Sequence, residues 1–203
     1  TILVMPYIEP GKDDEKTKYV FPDKKITAIA KDDVGLPSTR RCADTIVVKN
    51  ESQIDAIMES GNTFAANTVV IDINTEIDFS LFDHRAHFIQ NIEITENNPY
   101  YKSIDGVVYS KDGKKLIKFS PERRCYDFRI PEGVEEIDIH AFDWNKHIHK
   151  IQLPETLKNL KAGTFATCEK LSTIYIPSSM EYIEDGCFTD YFYTFGLVRI
   201  KDR

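Results

Sequence analysis

Apolar residues in the C-terminal half of this chain recur at one fixed distance. Aliphatic–proline pairs stand at Ile130-Pro131, Leu153-Pro154 and Ile176-Pro177, 23 residues apart, and each proline is followed eleven residues later by phenylalanine, at Phe142, Phe165 and Phe188. The positions around them keep the same order: Ile137, Ala141, Ile148 and Ile151 in the first unit, Leu160, Thr164, Leu171 and Ile174 in the second, Ile183 and Cys187 in the third. A unit this short cannot enclose a core. Its apolar face must be covered by the next copy, so the pattern predicts a stacked solenoid.

The last unit departs from the period. Three extra residues separate Phe188 from a closing Leu197 or Ile200, giving an aromatic bulge of Tyr191, Phe192, Tyr193 and Phe195. More rings stand here than one coil usually buries, so they either cap the open end or form a sticky patch; the cap is preferred because an uncovered last coil exposes strand edges.

A degenerate copy precedes the regular ones, with Ile71, Ile77, Phe82, Phe88, Ile92 and Ile94 repeating the Ile, Phe, Ile order and one added residue before the closing strand. Between it and the regular units, Gly106 to Phe119 reads as two alternating stretches around Lys111-Asp112-Gly113-Lys114. Asp-Gly between strand-like runs predicts a β-hairpin, placed as an insertion over 97–120.

Further upstream the period is not visible. Thr45 to Val48 is β-branched and strand-like; Asn50, Glu51 and Ser52 then introduce a helix over Gln53 to Ser60, with Ile54, Ile57 and Met58 on one face and Gly61 as a stop. With the strand Val69 to Ile73 this makes an N-terminal cap over 45–68. Residues 1–44, with an apolar start (Ile2 to Met5), a charged run from Lys12 to Lys18, a strand-like Ile26 to Ala30 and Pro6, Pro10, Gly11 and Pro22, read as an arm or the end of a preceding small β region. The start at Thr1 rather than methionine suggests processing or an excised piece.

The units IPEGVEEIDIHAFDWNKHIHKI, LPETLKNLKAGTFATCEKLSTI and IPSSMEYIEDGCFTDYFYTFGLVRI, with the phrase NNPYYKSIDGVVYSKDGKKLIKFSPE before them, resemble the BspA-like (bacterial, Treponema-type) leucine-rich repeat family over about residues 69–200. The resemblance implies a β-rich solenoid (α+β): a right-handed leucine-rich-repeat stack over 69–203, with an N-terminal β/α cap and an inserted hairpin. It also implies a cell-surface or secreted bacterial protein, of a kind often linked to adhesion to host matrix proteins or other bacteria.

Charge and chemistry narrow the function. A net charge of −7 and pI near 5.3, with Arg40-Arg41 and Arg123-Arg124 as isolated basic pairs, argue against nucleic acid. No apolar run is long enough to span a membrane, so none is expected to insert. Cys42, Cys125, Cys168 and Cys187 have no C-x-x-C spacing, and Cys168 and Cys187 sit in small, buried repeat slots that suit reduced thiols. No G-x-S-x-G, H-E-x-x-H, P-loop or Rossmann glycine pattern occurs, so an enzyme is not expected and no cofactor is assigned.

Two constellations remain. His87 and His147 each lie five residues after a repeat phenylalanine, with His149 two further on and His84 close by; on neighbouring coils they could hold zinc or copper if Asp83 or Asp143 supplied another ligand, against the competing reading of a solvated polar loop. The second is a display surface. Strand alternation sends Ile151, Leu153, Ile174 and Ile176 inward and leaves Asp127, Arg129, Lys150, Gln152, Thr173, Tyr175 and Arg199 facing out from successive coils. This mixed-charge ladder suits an extended protein or glycan ligand such as a host matrix protein; the alternatives are an intracellular scaffold and a carbohydrate-active module.

Overall fold

The structure, a computed structural model, describes residues 7–9, 18–20, 41–59, 64–82, 89–188 and 199–202. It is a β-solenoid of about five turns with little helix.

The first sheet begins with the antiparallel pair β1 (Tyr7–Glu9) and β2 (Lys18–Val20) and continues in parallel through β3 (Arg41–Val48), β4 (Phe64–Ile71) and β5 (Asn91–Ile94). Thr45 faces Thr68 and Thr68 faces Asn91, so the 23-residue period invisible in the sequence here is present in the strand register. Strand β3 starts at Arg41 and pairs on its outer side with β2, so it crosses the boundary expected at 44/45. The turn between β3 and β4 carries helix α1 (Glu51–Glu59), which buries Ile54, Ile57 and Met58 against the β-strand core. Asn50 accepts from the Gln53 amide (3.1 Å) and the buried Gln53 side chain accepts from the Lys49 amide (2.6 Å), fixing the entry to the helix.

Residues 97–120 hold three antiparallel strands rather than a two-stranded hairpin: β6 (Tyr101–Ile104), β7 (Val107–Ser110) and β8 (Lys115–Lys118). The β7–β8 turn is the expected one at Asp112-Gly113. The β6–β7 turn is a second Asp-Gly, Asp105-Gly106, with φ of 49° and 73° between the closing pair Ile104 and Val107, a two-residue loop whose positive φ values match the twist of the strands.

Beyond the meander the coils are regular. Strands β9 (Asp127–Arg129), β11 (Lys150–Gln152), β13 (Thr173–Ile176) and β15 (Arg199–Asp202) form one parallel sheet. Two-residue strands on another side complete each turn: β10 (Glu136–Ile137) pairs with β8, and β12 (Asn159–Leu160) with β14 (Tyr182–Ile183). Ile200 lies opposite Ile174, so it is Ile200 that closes the lengthened last unit.

Inside runs a column of rings. Centroids of Phe119, Phe142, Phe165 and Phe188 are 5.0, 5.1 and 5.6 Å apart in succession. Phe119, itself 23 residues before Phe142, extends the column into the meander. Phe142 and Phe165 are each sandwiched between copies of themselves, which is how a coil without its own core becomes buried. A second recurrent slot needs a left-handed backbone: Gly163 and Gly186 have φ of 73° and 81°, and the equivalent position one coil earlier is His140, with φ 60°. His140 thus carries strain that glycine avoids.

Candidate functional site

Parallel pairing places the ladder positions in two rows. One runs Asp127, Lys150, Thr173, Arg199; the other runs Arg129, Gln152, Tyr175, Lys201. Adjacent members are set by a strand separation of about 4.8 Å. Between the rows Ile151 and Ile174 are fully buried, Leu153 is buried behind them, and Ile176 is half-buried against the same core. The residues proposed from sequence therefore share one sheet, and the register adds Lys201.

Exposure divides them. Asp127 and Arg129 are exposed, and Lys150, Gln152 and Tyr175 are half-buried. Thr173, expected to face out, is only 9% exposed. Its short side chain sits in its row between the longer Lys150 and the strand carrying Arg199, so neighbours rather than solvent cover it. For Arg199 the register position is described and the side chain is not.

A third row, just before the strands, went unnoticed in the sequence. Tyr126, 60% exposed, stacks on His149 one coil away, with ring centroids 4.3 Å apart and planes inclined by 20°. Lys150 Nζ lies 5.6 Å from the Tyr126 centroid, within cation–π range. Ser172 follows, donating its hydroxyl to the His149 carbonyl at 3.2 Å. The signal was available, because Tyr126, His149 and Ser172 keep the 23-residue period, but none is apolar and the repeat pattern was drawn from apolar positions alone.

The histidines do not converge among the described residues. His147 Nε2 lies 3.3 Å from Glu122, while His149 Nδ1 faces the His147 carbonyl at 2.9 Å and its ring is stacked on Tyr126. No cluster of three or more metal-ligating side chains stands among the described residues. His84, His87 and Asp83 lie outside the described residues, as do Tyr191, Phe192, Tyr193 and Phe195 of the aromatic bulge.

Burial raises the thiol pKa of Cys125, Cys168 and Cys187, that of Cys187 to about 12, so these thiols are protonated at neutral pH and are poor nucleophiles. All three are free thiols. A cleft of about 310 Å³ opens between the Ile77–Ser80 segment and the coil at Lys115 to His140. Within it Lys115 pairs with Asp138 at 3.0 Å, and it also reaches Glu136 at 3.2 Å, while buried Lys118 donates to the His140 carbonyl at 3.0 Å.

Residues 118–194, the stretch holding the phenylalanine column and the ladder, match in six copies the family described as BspA type leucine-rich repeat region. This stretch is a BspA-type leucine-rich repeat region. Among solved structures the chain is similar to a leucine-rich repeat protein from Eubacterium ventriosum, at 21% identity and a TM-score of 0.52 over 68% of this chain and 38% of that one. That likeness is one of fold. Weaker likenesses are to the pneumococcal vaccine antigen PcpA (14% identity, TM-score 0.44, covering 72% and 40%) and to a leucine rich cell surface protein from Faecalibacterium prausnitzii (19%, 0.42, covering 79% and 51%). The chain spans about half or less of the length of these proteins. No curated protein matches the chain significantly. Among the described residues no helix is long and apolar enough to cross a membrane.

Proposed function

We propose that this BspA-type repeat chain is a non-enzymatic protein-binding module of a cell-surface or secreted bacterial protein, gripping a macromolecule through its strand ladder. The in-register rows carry the reading: Arg129, Gln152 and Tyr175 occupy consecutive strands at the same height, on a sheet whose opposite face is locked into the core. Because the underlying rows are rigid, the side chains are presented at fixed spacing, and little ordering entropy is lost when an extended partner docks. Tyrosine and arginine are the residue types that interfaces favour at their centres. Surface location and a role in adhesion come from the family resemblance and belong to the proposal.

The test is a pull-down with the purified chain against extracellular-matrix proteins and, in parallel, a cytosolic lysate, comparing wild type with an Arg129→Ala/Gln152→Ala/Tyr175→Ala variant. Capture of a matrix or surface protein that the variant loses is the expected result. Capture that the variant leaves intact moves the site off the ladder, and specific capture from lysate alone favours an intracellular scaffold.

A further inference from the structure

The two halves of the chain keep separate hydrophobic cores. One gathers Ile46, Ile54, Val69, Ile71, Phe82 and Ile92 between the first sheet and helix α1; the other gathers Phe119, Phe142, Ile151, Phe165 and Ile174 inside the C-terminal coils. The wall between them is the meander. Along β7 the side chains alternate, Val108 entering the first core while Val107 and Tyr109 enter the second, and on β8 Ile117 and Leu116 divide in the same way. An antiparallel sheet commonly keeps one face in water. Here each face is the lid of a different stack, as the ends of repeat stacks require.

The two faces are joined to their neighbours unequally. On the C-terminal side β8 pairs in parallel with β10, Phe119 starts the ring column, and Lys114 and Lys115 reach Glu135 (2.9 Å) and Asp138 (3.0 Å) of the next coil. On the N-terminal side no meander strand pairs with β5 among the described residues. Isolated hydrogen bonds take the place of a ladder there: the Ile92 amide donates to the Gly106 carbonyl and the Ile94 amide to Ser103 Oγ, each at 3.0 Å, Ser120 donates to the Ile89 carbonyl, and Arg123 donates to Asn91 at 2.5 Å. Asn98 adds a tie to the carbonyls of Ile73 and Thr75. Of the side chains that the meander gives to the first core, Val108 is fully buried, whereas Tyr101 and Ile117 are half-buried. The cleft of about 310 Å³ already parts this joint on one side, with Ile77 and Phe79 facing Tyr101 and Ile117 across it.

We propose that the chain consists of two cooperative units that meet at this joint, one made of β3, α1, β4 and β5, the other of the meander and the coils, and that the first opens while the second stays folded. A stack in which each layer touches only its neighbours separates at its weakest interface, and the weakest here is the N-terminal face of the meander. The meander stays with the coils because it is bonded to them strand to strand. The second unit is the more stable, since one column of rings and one parallel sheet run through all of its coils. Opening uncovers Tyr101, Val108 and Ile117 together, an apolar face that the closed chain hides, and leaves β9, β11 and β13 in place. The sheet that carries the ladder therefore does not depend on the first sheet for its shape.

The experiment is hydrogen exchange read by mass spectrometry on the full chain at rising urea, alongside the fluorescence of Trp144, the chain's single tryptophan, which stands in the second unit with its amide bonded to the Ala166 carbonyl. Wild type is compared with Val69→Ala and with the milder Ile71→Val, both at fully buried positions of the first core. The proposal expects peptides from β3, α1 and β4 to lose protection together at lower urea than peptides from β7, β8 and β11, whose loss coincides with the Trp144 transition. Both variants should move the first step to lower urea and leave the Trp144 midpoint where wild type has it, even if Val69→Ala unfolds the first unit in water. One transition common to all peptides, or a Trp144 midpoint that falls with the first step in either variant, overturns the two units. A first unit that outlasts the coils overturns the order of opening, and meander peptides that lose protection with β3 and β4 overturn the placing of the meander in the second unit.

Discussion

Asn98 and Asn145 are held in the same way on two different coils. Each is fully buried; Asn98 donates to the carbonyls of Ile73 (2.8 Å) and Thr75 (3.2 Å) on the coil before, as Asn145 does to Ser120 (2.9 Å) and Arg123 (3.2 Å). Each then accepts from two amides of its own turn, Tyr100 and Tyr101 for Asn98, His147 and Ile148 for Asn145. One side chain thus satisfies four backbone groups that the tight turn cannot pair, and it ties successive coils together. One coil after Asn145 the same slot holds Cys168, whose thiol donates to the Phe142 carbonyl at 3.1 Å.

Asn145→Ala should therefore cost about 3 to 4 kcal/mol in chemical denaturation, since several buried backbone groups lose their partner at once. A loss below about 1 kcal/mol would mean water replaces the amide and the coils are not tied there.

The phenylalanine column makes an independent claim. Phe165, 2% exposed, has a ring on either side, and Phe165→Ala should destabilise the chain by roughly 3 to 5 kcal/mol. A cost near that of a surface substitution would break the register on which the ladder rests.

How far the sequence could be read follows from what each residue type signals. The prolines and phenylalanines announce the period because their slots demand one shape, and they led to the correct sheet for Arg129, Gln152 and Tyr175. Asn98 and Asn145 gave no such signal: asparagine is ordinary in polar loops, and only burial shows what these two do. The period in the N-terminal strands was masked because no proline or phenylalanine marks it: Ile46, Val69 and Ile92 recur at the same spacing, but aliphatic residues are ordinary in any strand. Thr173 was misplaced because alternation predicts direction but not what longer neighbours cover.

The left-handed slot gives a coupled prediction. A Cβ on Gly163 would lie 2.9 Å from His140 Cε1 at a φ of 73°, so Gly163→Ala should cost about 1 to 2 kcal/mol from the backbone and more from the ring. In a His140→Gly background the ring contribution disappears, and the measured cost of Gly163→Ala should fall. Equal costs in the two backgrounds would show that the ring moves aside freely.

Acid sensitivity should arise partly at Glu136. The hydrogen bond from Lys161 (2.5 Å), with Lys115 at 3.2 Å, holds its carboxyl below the ordinary value of 4.5. A carboxylate whose folded pKa is depressed contributes stability that is present above the unfolded value and is lost as pH falls through the folded one. Glu136→Gln should thus lower stability at neutral pH by less than about 1 kcal/mol, since the group is 43% exposed, and its stability curve should converge with wild type on the acid side, below about pH 4.5. A constant offset at all pH values would rule out the ion pairs as the cause.

The ladder itself is tested most directly by hydroxyl-radical footprinting of the chain with its captured partner, read at three tyrosines. Tyr126 and Tyr182 start almost equally accessible, at 60% and 59%, but Tyr126 adjoins the ladder whereas Tyr182 stands on the two-stranded β12–β14 sheet. Binding through the ladder predicts that Tyr126 and Tyr175 become protected while Tyr182 keeps its reactivity. Protection of Tyr182, with Tyr126 and Tyr175 unchanged, would contradict it.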